Sequence, residues 1–288
     1  MRRMRNAILF VHCPDRSGLV AAVSSWIGAN GGNIEHFEQH VDEETSTFFM
    51  RAEWSLEAFR IADEDIEDRF RREVGDAFAM NARVHVDGGR PRIAIFVSTL
   101  SHCLTDLLAR AESGELAVDV PLVVSNHESL REVSERHGVA FEHVPVTAEN
   151  KARAEEHQQS LLDAHGVELV VLARYMQILS ADFLVAWQER VINIHHSFLP
   201  AFAGARPYHR AHARGVKIIG ATSHYATEDL DEGPIIAQGV ATVSHRDAVS
   251  DLVRKGRDVE RVVLAEAVRA HTERRVLVHH GRTVVFGS

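Results

Sequence analysis

The sequence is short of cysteine, of basic charge and of long apolar runs. Its two cysteines, Cys13 and Cys103, lie far apart. No disulfide framework follows from them, and a reducing compartment is the expectation. Lys and Arg number 32 against 41 Asp and Glu, for a net charge of −9. That argues against a protein held mainly by nucleic-acid phosphates, which need a basic surface. No apolar run is long enough to span a bilayer. The opening MRRMRNAILFVHCPDRSG carries basic residues, but its apolar run is too short for a secretion signal and meets Pro14–Asp15 at once. The expectation is a soluble cytoplasmic protein with neither membrane nor nucleic acid as partner. Several motifs are also missing. Without GxSxG, GxGxxG or GxxxxGK[ST], a serine hydrolase, a dinucleotide dehydrogenase and a P-loop ATPase are disfavoured. HExxH is absent too.

What is present is globular in character: 288 residues, 45% hydrophobic and 25% charged, enough for two ordinary domains. Residues 1–86 read as a closed unit. NAILFVHC is strand-like, and Leu19, Val20, Val23, Trp26 and Ile27 recur at helical spacing. Asp15 is the expected N-cap and Gly31–Gly32 the expected stop. NIEHFEQHV and TSTFFMRAEW form two strands around the turn DEET. Phe59, Ile66, Phe70, Val74 and Phe78 predict a second helix, and Met80 to Val86 a last strand. The order βαββαβ predicts a ferredoxin-like sandwich. DGGRP, residues 87–91, reads as a linker. From residue 92 to 288 short apolar runs alternate with helical segments, which predicts an α/β domain with a mostly parallel sheet.

Within that second domain, NIHHSFLP (193–200) places an amide and two imidazoles in a strand-like run. Strand alternation puts Asn193, His195 and Ser197 on one face and Ile194 and His196 on the other. His196 is therefore expected to support the fold rather than the chemistry. Ligands in such sheets bind beyond the carboxyl ends of the strands. The polar loop TEDLDEGP would bring Asp229, Asp231 and Glu232 to the same edge. An amide and a protonated imidazole can both donate to a carbonyl oxygen that gains charge under attack, while a carboxylate manages a water proton. Two other readings stay open: core polar groups satisfied by neighbours, and a His195, His224 and Asp231 metal site. Asp15 and Gly18, at a strand-to-helix turn, could hold a small ligand or be only cap and turn.

NIHHSFLPAFAGARPYHRAHARGVKIIGATSHYATEDLDEGPII resembles the active-site region of folate-dependent formyltransferases and of their hydrolytic relatives, the formyltetrahydrofolate deformylases. VSTLSHCLTDLL, VVSNH, LARYMQILS and VSHRDAVSDLVRKGRDVERVVL resemble the same family, so the likeness spans residues 92–288. PDRSGLVAAVSSWIGANGGNI resembles an ACT domain, a regulatory fold that often binds amino acids. The resemblance implies a Rossmann-like formyltransferase-type domain with Asn193, His195 and Asp231 as its catalytic residues. It implies folate contacts at Gln177, Ile178 and Leu179, with Ala226 to Asp229 as the other wall. It implies hydrolysis of 10-formyltetrahydrofolate to tetrahydrofolate and formate without metal or cofactor. That reaction would balance the one-carbon folate pool and supply formate for purine synthesis. It also implies an amino-acid effector near Asp15 and Gly18, and a homo-oligomer. Ala237 and Gly239 stand where the deformylases lead one to expect acidic residues.

Transfer to glycinamide ribonucleotide is the rival activity, and a folate or amino-acid sensor without catalysis is another. A phosphate-bearing acceptor calls for a glycine-rich loop at a helix start. The loop here, STLSHCLTDL (98–107), has no glycine, and His102, Cys103 and Leu104 add bulk. His102 is therefore placed beside the substrate, with water as the acceptor. Arg206 or Arg210 could hold a phosphate instead. A tRNA formyltransferase would be expected to carry a further basic domain.

Overall fold

The computed structural model describes residues 5–200 and 207–287. Its chain divides into two compact units. The first comprises residues 1–89 with Arg274–Leu277 and 284–288; the second comprises Arg90–Glu273 with Val278–Thr283. This division places the C-terminal pieces differently from the contiguous 92–288 expected from composition.

In the first unit β1 (Asn6–Pro14) leads to α1 (Leu19–Ala29), then β2 (Asn33–Asp42), β3 (Thr47–Ser55), α2 (Ile66–Glu73) and β4 (Asn81–Val86). The sheet order is β2-β3-β1-β4, with β1 antiparallel to both neighbours. This is the ferredoxin-like βαββαβ arrangement. The N-cap of α1 is Gly18, not Asp15; its left-handed backbone (φ 94°) turns the chain into the helix without a side-chain cap. The second helix is shorter than the spacing predicts. It is a 3₁₀ turn at Asp63–Asp65, then α2, then a 3₁₀ turn at Gly75–Phe78, because the backbone leaves helical geometry at Val74 (φ −132°). Phe59 reaches the core from a loop, its ring 5.9 Å from Trp26.

Alternation sends Ala7, Leu9 and Val11 of β1 into one core with Val23, Ile27 and Phe70 of the helices. Phe10 and Phe49 face the other side, where Leu277 and Phe286 cover them. Arg51 Nε donates to the Arg274 carbonyl there at 2.8 Å. His85 of β4 lies on that covered face, its ring edge-on to Phe10 at 5.9 Å.

The second unit begins with β5 (Arg92–Val97), α3 (His102–Ser113), β6 (Asp119–Ser125), α4 (Arg131–Arg136), β7 (Ala140–His143), α5 (Lys151–Ala164) and β8 (Leu169–Leu172). It continues with α6 (Ala181–Ala186), β9 (Val191–His195), α7 (Pro207–Arg214), β10 (Ile218–Tyr225), β11 (Ile235–Thr242) and α8 (Val249–Thr272). A final hairpin, β12 (Val276–His279) and β13 (Arg282–Val285), ends the regular structure. The seven-stranded sheet runs β11-β10-β9-β8-β5-β6-β7. Strands β5 to β9 pair in parallel, and β10 is antiparallel to both β9 and β11. β9 is an interior strand, so its carboxyl end opens onto the ligand edge of a parallel sheet.

Gly239 of β11 lies under α8. A Cβ there would stand 2.6 Å from Val263 Cγ2 and 3.2 Å from Val259 Cγ1. An acidic side chain at this position would be driven against apolar helix atoms, so glycine here serves packing. Among the described residues no helix is long and apolar enough to cross a membrane.

Burial first, and then the charges of Arg274 and Arg83, bring the His85 imidazole down to about 4 from its ordinary 6.5. Between those values the unfolded chain takes up a proton that the folded one refuses. Stability from this residue is therefore complete above pH 6.5 and is lost as pH falls toward 4. The slope is at most about 1.4 kcal/mol per pH unit. Urea unfolding at pH 7 and pH 5 should show that loss in the parent chain and a smaller one in His85→Phe.

Candidate active site

Asn193 and His195 sit at the carboxyl end of β9, alternate residues on one face, as the strand period requires. β10 runs back beside them in a fixed register, with His224 opposite Asn193 and Thr222 opposite His195. Thr222 also secures the chain after β9. Its Oγ1 donates to the Ser197 carbonyl at 3.0 Å and accepts from the Leu199 amide at 3.1 Å. Beyond Tyr225 the chain forms a polar loop before β11, and Asp231 in it holds a left-handed backbone (φ 61°). That loop is pinned by backbone bonds, Tyr225 N to the Pro234 carbonyl and Ala226 N to the Val191 carbonyl, both 2.9 Å.

The result is a compact polar centre. His195 Nδ1 donates to Asp231 Oδ1 at 3.0 Å, and His224 Nε2 lies 3.7 Å from the same oxygen. The Asn193 amide donates to His224 Nε2 at 3.2 Å, while His224 Nδ1 donates to the Tyr225 carbonyl at 2.9 Å. The His195 hydrogen bond first, and then the neighbouring His224 imidazole, hold the Asp231 carboxyl well below the usual carboxylate range. It is therefore ionised at any pH at which the protein works. His195 Nε2 is buried and has no partner among the described residues. A buried donor without a partner is rare unless a ligand supplies one.

These groups line a cavity of about 580 Å³, within the range that takes one drug-sized ligand. Its other wall is the loop after β8. Gln177, Ile178 and Leu179 line it, as do Ala226 and Thr227. The β8 loop is held from below, where the Met176 amide donates to Ser98 Oγ at 2.9 Å and the Ser180 amide to the buried Glu155 at 2.9 Å. Met176, Ile178 and Leu230 are exposed around the opening, each more than 60% accessible. Such apolar surface at a cavity mouth suits a flat aromatic ligand.

The remaining candidate positions fall elsewhere. Asp229 does not line the cavity; its carbonyl accepts from Thr227 Oγ1 at 3.0 Å and shapes the loop. His102 does not line it either, because its Nε2 donates to Glu260 of α8 at 2.7 Å. Ala237 and Gly239 are absent from the lining as well. His196, assigned to the opposite face by alternation, lines the cavity beside His195. The regular strand ends at His195, so the period-two rule does not extend to it. Burial, and then the Arg174 charge, lowers its imidazole to about 4, so it is neutral there. Asp15 and Gly18 lie in the other unit, where the Asp15 amide donates to the Ser46 carbonyl at 2.8 Å. Arg206 lies outside the described residues.

Three functional neighbours escape the sequence reading. His224 appears there only as a metal candidate, Arg174 and Glu260 not at all. Glu260 did leave a signal: with Leu252, Gly256, Val263 and Leu264 it occupies the apolar stripe of α8, where a lone carboxylate implies buried partners. As for a metal, His102, Cys103 and Glu260 bring ligand atoms within 4.8 Å of one another. Glu260 already accepts from His102, and from Tyr208 OH at 2.8 Å, with the Arg174 cation 3.6 Å away. A hydrogen-bonded network, not a cation site, accounts for that group.

Comparison with known proteins fits this geometry. Residues 91–268 match the formyl transferase family and residues 7–75 match the ACT domain. A formyltetrahydrofolate deformylase from Synechocystis is 50% identical over 280 residues, covering 97% of this chain and 98% of that protein. The chain belongs to the formyltetrahydrofolate deformylase family. The crystal structure of such a deformylase from Pseudomonas syringae pv. tomato superposes with a TM-score of 0.93 at 45% identity, covering 100% of this chain and 96% of that one. A glycinamide ribonucleotide transformylase from Symbiobacterium toebii is more distant. It is 31% identical, with a TM-score of 0.65, covering 70% of this chain and 97% of that one.

The loop between Ala226 and Pro234 carries Asp231 into the site. A Cβ on Gly233 would stand 1.8 Å from the Tyr225 carbonyl oxygen. No side chain fits without moving the loop that carries Asp231. Gly233→Ala should therefore lower turnover by about 100-fold, since a displacement near 1 Å in a site costs that much. Its urea midpoint should move far less than its activity.

Proposed function

We propose that this chain hydrolyses 10-formyltetrahydrofolate to tetrahydrofolate and formate. The observation that carries the reading is the convergence of Asn193, His195 and Asp231 on one cavity, with His195 anchored to the carboxylate through Nδ1 at 3.0 Å and its buried Nε2 unpartnered. The pterin lies along Gln177, Ile178 and Leu179, against Ala226 and Thr227. The formyl oxygen accepts from the Asn193 amide and from His195 Nε2 in its imidazolium form. Asp231 takes a water molecule on its remaining oxygen. The water oxygen bonds to the formyl carbon, Asp231 orients the water and passes one of its protons on towards N10, and the carbonyl electrons collect on the held oxygen. The carbon–nitrogen bond then breaks with its electron pair on N10, N10 takes that proton, and the formic acid formed gives its remaining acidic proton to solvent and leaves as formate. The folate is substrate, and no step is routed through a cofactor or a metal.

The alternative of transfer to glycinamide ribonucleotide is disfavoured by the start of α3. There His102 is tied to Glu260 where a phosphate would need open backbone amides. We also propose a cytoplasmic setting, in keeping with the free thiols Cys13 and Cys103, and a homo-oligomer.

Purified protein given 10-formyltetrahydrofolate should release formate without any acceptor, and adding glycinamide ribonucleotide should not change the product. Asp231→Asn should lower the rate by about 100- to 1000-fold, the usual loss when one charge-stabilising group is removed. Formyl transfer that appears only with the acceptor would replace this reading.

For the first unit we propose that a small amino acid binds near Asp15 and Gly18 and alters turnover. The position a Cβ would take on Gly18 has nothing within 4 Å, so the turn leaves room for a ligand. Across a panel of the common amino acids, at least one should shift KM or kcat about 5-fold or more, the lower bound of ordinary coupling. Flat kinetics across the panel would remove the regulatory claim.

A further inference from the structure

Behind the reacting groups lies a second carboxylate that the mechanism does not use. Glu260 is 1% exposed. Burial pushes its carboxyl up, but the His102 hydrogen bond and the Arg174 charge outweigh that and hold it below the ordinary range. Both oxygens are committed: Oε2 to His102 at 2.7 Å and Oε1 to Tyr208 at 2.8 Å.

Arg174 is the group this arrangement leaves over. Its Nε stands 3.6 Å from Glu260 Oε2, an ion pair too long to be a hydrogen bond. That Nε is buried and has no hydrogen-bond partner among the described residues. The side chain is only 11% exposed, yet it lines the same cavity as Asn193, His195 and Asp231. The backbone at Arg174 is left-handed (φ 64°), an uncommon state for a side chain of this size. Register places it close to the chemistry, since Leu172 of β8 pairs with Asn193, and Arg174 follows two residues later. A charge held at the cavity wall with its Nε donor unspent is a built position for an anion.

We infer that Arg174 is a carboxylate subsite that receives formate, the anion created by the reaction, and that Glu260 sets its strength by partly neutralising the guanidinium. The inference rests on the reading of the site as a formyl hydrolase. The substrate's formyl group is an uncharged amide and its product is a planar carboxylate, the shape a guanidinium fork pairs with. A neighbouring carboxylate at ion-pair distance weakens the hold, so that formate can leave. Folate carries carboxylates too, on its glutamate, and these are the other source of the same chemistry.

The test measures binding of ¹³C-formate to the full-length protein by NMR titration at constant ionic strength, with no folate present. Formate is a three-heavy-atom ligand, so a dissociation constant in roughly the millimolar range is the expectation. Arg174→Gln should weaken formate binding about 10-fold or more. Glu260→Gln should tighten it several-fold and slow formate release in turnover. This opposite sign is one that loss of structure cannot mimic. No measurable binding to the parent protein, or unchanged binding in Arg174→Gln, would overturn the inference. So would unchanged or weaker binding in Glu260→Gln. A parallel arm compares tetrahydrofolate with tetrahydropteroate, which lacks the glutamate. If Arg174→Gln abolishes only the difference between those two, the subsite belongs to the substrate tail and the inference fails. Because binding is read without turnover, an inactive protein would sink the hydrolase reading while an active one with unaltered formate binding would sink only this one.

Discussion

The hydrogen bond from His195 to Asp231 joins two segments that are distant in sequence, and the other features of the site depend on it. It can form only because β10 turns back antiparallel to β9 and then delivers the next loop to the carboxyl end of a parallel sheet. A purely parallel sheet would have carried Asp231 to that edge only after another crossover helix. The reversal brings His224 with it, opposite Asn193, so the amide, both imidazoles and the carboxylate form one connected set. Such a set fixes proton positions. His224 Nδ1 is engaged by the Tyr225 carbonyl and His195 Nδ1 by Asp231, which leaves each Nε2 facing the site.

Much of this was legible in the residues, for identifiable reasons. Alternation along VINIH pairs Asn193 with His195, because the strand is regular up to its last residue. One residue further the rule fails, and His196 joins the cavity instead of the opposite face. The apolar runs mark β5, β6, β8 and β9, since buried parallel strands are apolar on both faces, whereas β7 carries Glu142 and His143. What they cannot mark is strand direction, so the antiparallel return of β10, and with it the place of His224, is invisible in them. The start of the first helix is not legible in this way, because Asp15 has the chemistry of a cap while Gly18 has the backbone freedom that the turn needs. Glu260 is the instructive miss. A carboxylate in the apolar stripe of a long helix signals a buried network, but its partners come from α3, α7 and the loop after β8, which no local pattern connects.

Two carboxylates thus divide the labour in the second unit. Asp231 lies partly exposed at the cavity, strongly ionised, and faces the reacting groups. Glu260 is sealed and satisfied on both oxygens. Burying a carboxylate costs several kcal/mol unless donors replace its water, and here a phenol and an imidazole do so, with a guanidinium adding charge. The arrangement fills with side chains the place where a bare helix start would present its amides to a phosphate. His102, Cys103 and Leu104 at the head of α3 are the residues that fill it, two of them wholly buried.

The absence of glycine in the loop 98–107 therefore has a structural counterpart. Glycine at a phosphate-binding turn lets the anion approach the backbone. A histidine there, bonded to a carboxylate, replaces that anion with a fixed internal one. The cavity has room for one drug-sized ligand, and the Asp231 carboxylate stands in its wall. In the hydrolysis we propose, water is selected over a second substrate by the side chains placed at the head of α3, rather than by any difference in the Asn193, His195 and Asp231 set. In that proposal the same set can serve transfer or hydrolysis, and the choice between them rests on the packing of α3 against α8.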